Sequence, residues 1–144
     1  MRKLAIVLIS AGLITGLGFI IATKSQNSLK MLTINDTKLS IEIATSSQEK
    51  QTGLCCRESL PEYRAMLFVY DSPGNHRFWM KDTKIPLDMY WINSKKKIIY
   101  IEHSVQPSSY PKTFGPEDES QYVLETNAGF AKKHNINIGD TINF

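Results

Sequence analysis

Short runs of apolar residues, some of them alternating with polar ones, recur along residues 31–144 and are typical of β-strands. MLTIN and KLSIEIA flank the pair Asn35-Asp36, which favours a hairpin turn. Further short runs are AMLFVY, HRFWM, MYWIN, KIIYIEH, QYVLET and INIGDTINF. With two short helices, these runs predict a fold that is α+β but mainly β: a small antiparallel, barrel-like domain.

Capping signals predict where the two helices begin. Thr45 precedes the first helix with Gln48 three residues later, which is the spacing of a capping box. Asn127 precedes AGFAKKH, whose cationic last turn suits the helix dipole, and is the predicted cap of the second helix. Asn135 is expected to end that helix in the left-handed conformation.

Residues 1–23 have the pattern of a transmembrane anchor. Arg2 and Lys3 precede 19 uncharged, mostly apolar residues at positions 4–22. A helix of that length spans about 28 Å, close to the ~30 Å hydrocarbon core of a bilayer. The chain is therefore expected to contact the membrane through residues 4–22, with residues 24–30 as a tether.

The two cations before the apolar run favour an N-terminus inside the cell. Residues 31–144 would then form a globular extracytoplasmic domain of a single-pass protein of the cytoplasmic membrane. A cleaved signal peptide followed by secretion is the alternative, although Ile20 makes residues 20–22 a poor cleavage site.

Charge and motifs narrow the chemistry. The net charge of the chain is only +3. Its one dense basic cluster, residues 95–97, is typical of a solvated hairpin turn. No nucleic-acid partner is therefore predicted. The chain has no P-loop, dinucleotide, hydrolase-elbow or zincin motif, and no cofactor is predicted. His76, His103 and His134 are not spaced with the cysteines as a ligand set, so no metal site is predicted either.

The stretch FWMKDTKIPLD, residues 78–88, suggests a site. If it begins as a strand, Phe78 and Met80 share a core face, whereas Trp79 lies on the exposed face. Trp79 would offer a flat apolar wall, and Lys81 would bind an anionic or hydroxyl-rich group. The structural alternative is that Lys81 simply pairs with Asp88 across the loop.

Other polar residues are candidates for the same site. The candidate ligand-binding residues are Arg57, Trp79, Lys81, Asp88, His103, Glu125 and Asn127. Capping alone would explain Asn127, and a salt bridge to Arg57 or Lys81 would explain Glu125. Asp88 and Glu125 would suit glycoside chemistry as an acid/base pair, which depends on their separation.

Three blocks in order carry a family resemblance. GLCCRESLPEYRAMLFVY, FWMKDTKIPLDMYWIN and YVLETNAGFAKKHNINIGDTINF together resemble the domain-of-unknown-function family 192, over residues 39–144. The resemblance implies a small, mostly β, barrel-like domain with short helices, often behind an N-terminal membrane segment. It implies no established activity.

Cys55-Cys56 depart from that family, in which a methionine and an aromatic or other apolar residue commonly follow Gly-Leu. Both cysteines are therefore expected to pack as small apolar side chains. A vicinal disulfide, an intermolecular bridge and a metal site remain alternatives. A bridge between adjacent residues requires a Cα separation of about 3.8 Å, below the usual ~4.4–6.8 Å.

The functional prediction is a membrane-anchored extracytoplasmic domain that binds a cell-envelope glycan, peptide or protein. The alternatives are a small envelope hydrolase that uses Asp88 or Glu125 as acid/base, and a structural tether with no pocket.

Overall fold

A computed structural model describes residues 29–144 of the chain. In this part of the chain the elements are β1 (Lys30–Ile34), β2 (Thr37–Ala44), α1 (Ser47–Thr52), β3 (Arg64–Gly74), β4 (Phe78–Trp79), β5 (Leu87–Ile92), β6 (Ile98–Val105), β7 (Thr113–Phe114), β8 (Ser120–Asn127), α2 (Phe130–Lys133) and β9 (Ile142–Asn143). The predicted anchor, residues 1–23, and all but the end of the predicted tether, residues 24–30, lie outside the described residues. Within residues 29–144 no helix is both long and apolar enough to span a membrane.

Seven strands form one sheet in the order β6-β5-β8-β3-β2-β1-β9, and β4 pairs with β7 beside it. The sheet curls into a half-barrel whose two edges touch. Lys97 bridges to Thr141 there, and the N–H of Ile98 donates to the Asp140 carbonyl at 2.8 Å. This mainly β fold with two short helices confirms the predicted class.

The strand pairs are antiparallel with one exception, because β2 and β3 run parallel. The antiparallel prediction was wrong for this pair. Parallel neighbours need a crossover connection, and α1 with the loop after it supplies one.

Both faces of the sheet are buried. One face, here the α2 face, carries Leu67 and Leu124 and packs against Phe130 of α2. The other, here the β4 face, carries Phe68 and packs against Phe78 of β4. Successive side chains along each central strand therefore point alternately into the core on the α2 face and the core on the β4 face.

Two of the three helix-end predictions were wrong in detail. Ser46, not Thr45, caps α1: its hydroxyl accepts from the Glu49 N–H at 3.2 Å, and its own N–H donates to the Glu49 carboxylate at 2.9 Å. Gly129, with φ of 82°, precedes α2. The third expectation holds, because Asn135 has φ of 52°.

Asn127 does not cap α2, because β8 continues through it. Its side-chain amide instead donates to the Leu60 carbonyl at 2.9 Å. It therefore fastens the loop before β3 to the end of β8.

Asp88 is fully buried on the α2 face and has two backbone partners. One carboxyl oxygen accepts from the Ser104 N–H at 2.8 Å, and the other accepts from the Ala131 N–H at 2.9 Å. Asp88 thus joins β5 to β6 and to the start of α2. It does not pair with Lys81, so the structural alternative for that lysine was wrong.

We expect Asp88→Asn to lower the free energy of unfolding by about 1–3 kcal/mol. The amide keeps one acceptor but turns its NH₂ group toward the second buried N–H, which loses its partner. Denaturant titration measures the change. Asp36→Asn, in an exposed turn, is the control and should stay within about 0.5 kcal/mol; equal values for the two variants would contradict this role for Asp88.

Candidate functional site

Glu125 lies in the middle of the sheet, on the β4 face. The strand register places it between Met66 of β3 and Met89 of β5, and only 4% of the residue is exposed to solvent. This row of residues continues outward to Glu42 on β2 and Glu102 on β6. Carboxylates and methionines therefore alternate across five strands, and the central carboxylate is the most deeply buried.

Neither predicted partner pairs with Glu125. The ion pairs of the described residues are Arg57–Glu42, Lys84–Glu58 and Lys133–Glu62. Arg57 holds Glu42 through two hydrogen bonds of 2.6 and 2.9 Å. No hydrogen bond to the Glu125 carboxyl group is formed within residues 29–144.

Burial raises the pKa of Glu125 to about 8, from an ordinary value near 4.5. The positive charge of Arg57 opposes that rise, but the loss of solvation is the larger effect. At neutral pH the group is therefore mostly a protonated carboxylic acid, which can donate a hydrogen bond as well as accept one.

Glu125 opens into a cavity of about 80 Å³, here the Glu125 cavity. Its lining residues are Lys50, Gln51, Thr52, Gly53, Leu54, Phe68, Tyr70, Arg77, Phe78, Trp79, Lys81, Thr83 and Glu125. The end of α1 forms one wall, and β4 with the loop after it forms the other. This volume admits a few water molecules or one small functional group.

Three cations line this cavity, and none joins an ion pair of the described residues. The Lys50 ammonium lies 4.5 Å from the centre of the Tyr70 ring. The Arg77 guanidinium donates to the Gly115 carbonyl at 2.6 Å. Lys81 is exposed. The wall of the cavity therefore carries three positive charges that have no carboxylate partner among the described residues.

An aromatic shelf lies beside the cavity, formed by Trp79 and Tyr110. Their rings meet edge to face with centroids 6.1 Å apart, and each residue is 46% exposed. The neighbours Phe78 and Met80 are buried, which confirms the predicted division of faces. The shelf offers accessible aromatic surface next to Lys81.

The structure brings together three of the predicted site residues, Trp79, Lys81 and Glu125. Arg57 lines an adjoining groove with Glu42. His103 lies elsewhere, in a larger cavity of about 750 Å³ against the residues around α2.

Asp88 and Asn127 are also outside the Glu125 cavity. Asp88 pairs in register with Thr126, the residue next to Glu125, so the side chains of Asp88 and Glu125 point to opposite faces of the sheet. The structure therefore does not form the predicted pair of carboxylates.

Sequence reasoning missed Lys50, Tyr70 and Tyr110. Tyr70 had a usable signal, since it follows Phe68 by two residues and so continues the same face of β3. Lys50 and Tyr110 had none, because they come from a short helix and a proline-containing loop that only the tertiary fold brings to this place.

Cys55 and Cys56 are bonded to each other. Cys55 is half-buried and Cys56 is exposed, so the packing interpretation was wrong, and the vicinal-disulfide alternative describes the structure. Cys56 has a left-handed backbone, and its N–H donates to the Asp82 carbonyl at 2.9 Å. This turn faces solvent and offers no apolar pocket for a buried thiol.

Comparison with known proteins agrees with this fold. The family described as DUF192, "Uncharacterized ACR", matches residues 30–144. The chain belongs to the DUF192 family. This confirms the resemblance seen in the three sequence blocks, and no curated protein matches the chain.

Two crystal structures share the DUF192 fold of this chain. One is a protein of unknown function from Novosphingobium aromaticivorans DSM 12444, with 27% identity and a TM-score of 0.76 over 81% of this chain and 85% of that chain. The other is a proposed transcription regulator from Sinorhizobium meliloti 1021, with 29% identity and a TM-score of 0.74 over 78% of this chain and 89% of that chain.

We expect Glu125→Gln to flatten the pH dependence of stability of this DUF192 domain. The folded state holds the Glu125 proton more tightly than the unfolded state, so stability should fall as pH rises from about 4.5 to about 8. The slope from this group is about 1.4 kcal/mol per pH unit in that window.

Denaturant titrations of both proteins at pH 5 and pH 8 measure the difference in their free energies of unfolding. All other titratable groups are common to the two proteins, so their contributions cancel in that difference. The variant should gain stability relative to the wild type at pH 8. Parallel pH profiles would show that Glu125 is already ionised in the folded protein and would contradict its assignment as a neutral acid.

Proposed function

We propose that this chain is a membrane-anchored extracytoplasmic domain that binds a cell-envelope glycan, peptide or protein. The Glu125 cavity and the Trp79–Tyr110 shelf are its site. One observation carries the proposal: a deeply buried glutamate, without a protein partner in the described residues, opens into a cavity lined by cations.

A purely structural role does not account for Glu125. Burying a carboxyl group without a hydrogen bond destabilises a protein, and an apolar side chain between Met66 and Met89 would be more stable. Buried titratable groups with shifted pKa values in a cavity are typical of functional sites. Glu125 faces the cavity, where its carboxyl group can bond to a ligand that replaces water.

The Trp79–Tyr110 shelf supports binding of a ring or a flat peptide face. Exposed tryptophan and tyrosine give large apolar contact with little loss of side-chain entropy. Trp79 and Lys81 are two residues apart, and both line the Glu125 cavity. One ligand that covers the shelf can therefore also reach into the cavity.

A hydrolase that uses Glu125 alone is the second candidate. A protonated glutamate at neutral pH has the state required of a general acid. Asp88 is unavailable as its partner, because it lies on the other face of the sheet with both oxygens bonded to backbone N–H groups. Binding is therefore the better supported function.

The proposed location of the domain is based on the sequence of residues 1–23, and fusion reporters test it. We expect alkaline phosphatase joined after Phe144 to be active, because it folds only outside the cytoplasm, and green fluorescent protein at the same position to be dark. Fluorescence of the second fusion would contradict an extracytoplasmic domain. A mature protein that begins near Thr23 would show cleavage instead of anchoring.

Binding is tested with the full-length chain in detergent, against soluble peptidoglycan fragments and short peptides. A ligand at 100 times its Kd should stabilise the protein by about 2.7 kcal/mol in a thermal unfolding assay. Trp79→Ala and Lys81→Met should abolish that shift with little change in intrinsic stability, because both side chains are exposed.

Lys38→Met is the control, since it removes an exposed lysine of β2 that does not line the Glu125 cavity. It should bind as the wild type does. If the Trp79 and Lys81 variants bind as well as the wild type, the binding site is not at these residues and the proposal is rejected. If the wild type cleaves a peptidoglycan fragment and Glu125→Gln does not, the hydrolase would be favoured over the binding domain.

A further inference from the structure

We propose that the ligand of the Glu125 cavity is a sugar acid, with its carboxylate inside the cavity and its pyranose ring on the Trp79–Tyr110 shelf. The inference rests on the proposed function and names the ligand chemistry of that same site. It follows from the size of the cavity, the charges that line it and the position of the shelf.

The cavity is too small for a whole sugar. Pockets that enclose a drug-sized ligand have volumes of about 300–1,000 Å³, whereas the Glu125 cavity has about 80 Å³. One carboxylate fits such a space, and the rest of the ligand must remain outside. The accessible surface beside the opening is the aromatic shelf, where the apolar C–H face of a pyranose ring can pack.

The charges select an anionic group. Lys50, Arg77 and Lys81 line the cavity, and none of them joins an ion pair of the described residues. Arg57 also acts on Glu125 and lowers its pKa, but its guanidinium is held by two hydrogen bonds to Glu42 and lines the adjoining groove. A carboxylate would therefore enter a positive cavity that lacks a counter-ion from residues 29–144.

Glu125 adds a donor that a carboxylate can use. As a neutral acid it donates its O–H to the incoming carboxylate, and the two groups then share one proton. Tyr70 also lines the cavity, and burial raises its pKa to about 12, so its phenol stays neutral and adds no repulsion.

The same arrangement makes binding depend on pH. When Glu125 ionises, the cavity gains a negative charge that repels the ligand carboxylate at close range. Glu102 lies in the same row but two strands away, and Asp88 faces the other side of the sheet, so neither replaces Glu125 in this role. Acid binding should therefore weaken above the pKa of Glu125, about 8.

The test compares N-acetylmuramic acid with N-acetylglucosamine, two sugars that differ by one carboxylate-bearing lactyl group. Affinities for the full-length chain in detergent are measured by titration calorimetry at pH 6.5 and pH 9.5. We expect the acid to bind at least tenfold more tightly at pH 6.5, and that preference to fall several-fold at pH 9.5.

Two variants separate the contributions. Glu125→Gln keeps a hydrogen-bond donor but cannot ionise, so its preference for the acid should be independent of pH. Lys81→Met should lower the preference for the acid at both pH values, whereas the control Lys38→Met should behave as the wild type.

The outcomes distinguish this inference from the proposed function. Equal affinity for both sugars, lost in Trp79→Ala, would overturn the carboxylate inference and leave the binding function standing. A preference for the acid that has the same pH dependence in wild type and Glu125→Gln would overturn the role of Glu125. No binding of either sugar would overturn the sugar-acid inference, and the proposed function would fall with it only if the peptidoglycan fragments and the short peptides also failed to bind.

Discussion

Burial of both faces of the central strands is the constraint on which the rest of the structure depends. All six residues of β5 are buried, as are the four residues from Val123 to Thr126 in β8. A side chain on these strands has no route to bulk solvent unless a loop leaves an opening above it. Any polar residue placed there must find a partner in the protein or face a cavity.

Asp88 has partners in the protein, whereas Glu125 faces a cavity. Asp88, on the α2 face, uses both carboxyl oxygens to hold the backbone of β6 and the start of α2. Glu125, on the β4 face, has methionines on both sides and an opening in front of it. The first carboxyl group stabilises the fold, whereas the second costs stability and is the better candidate for function.

The site combines a rigid floor with walls from short connecting segments. Glu125 and Phe68 come from central strands, so the floor is held by the sheet. Lys50, Trp79 and Lys81 come from the end of α1, from β4 and from the loop after it. Segments of this kind vary more readily than the sheet that supports them.

The amino-acid sequence alone determined much of the local structure. Short apolar or alternating runs predicted most of the strands, and the period of two separated buried Phe78 from exposed Trp79. These features depend on residues next to one another in the chain, where side-chain direction follows from backbone geometry.

Only the tertiary structure decided which polar residues meet. The partners of Asp88 lie 16 and 43 residues away, and the neighbours of Glu125 come from β3 and β5. Strand register sent Asp88 and Glu125 to opposite faces, although either alone looked suitable for the same site. Such pairings depend on contacts between distant segments. Because β5 is buried on both faces, its sequence has no alternation that would fix its register against β8.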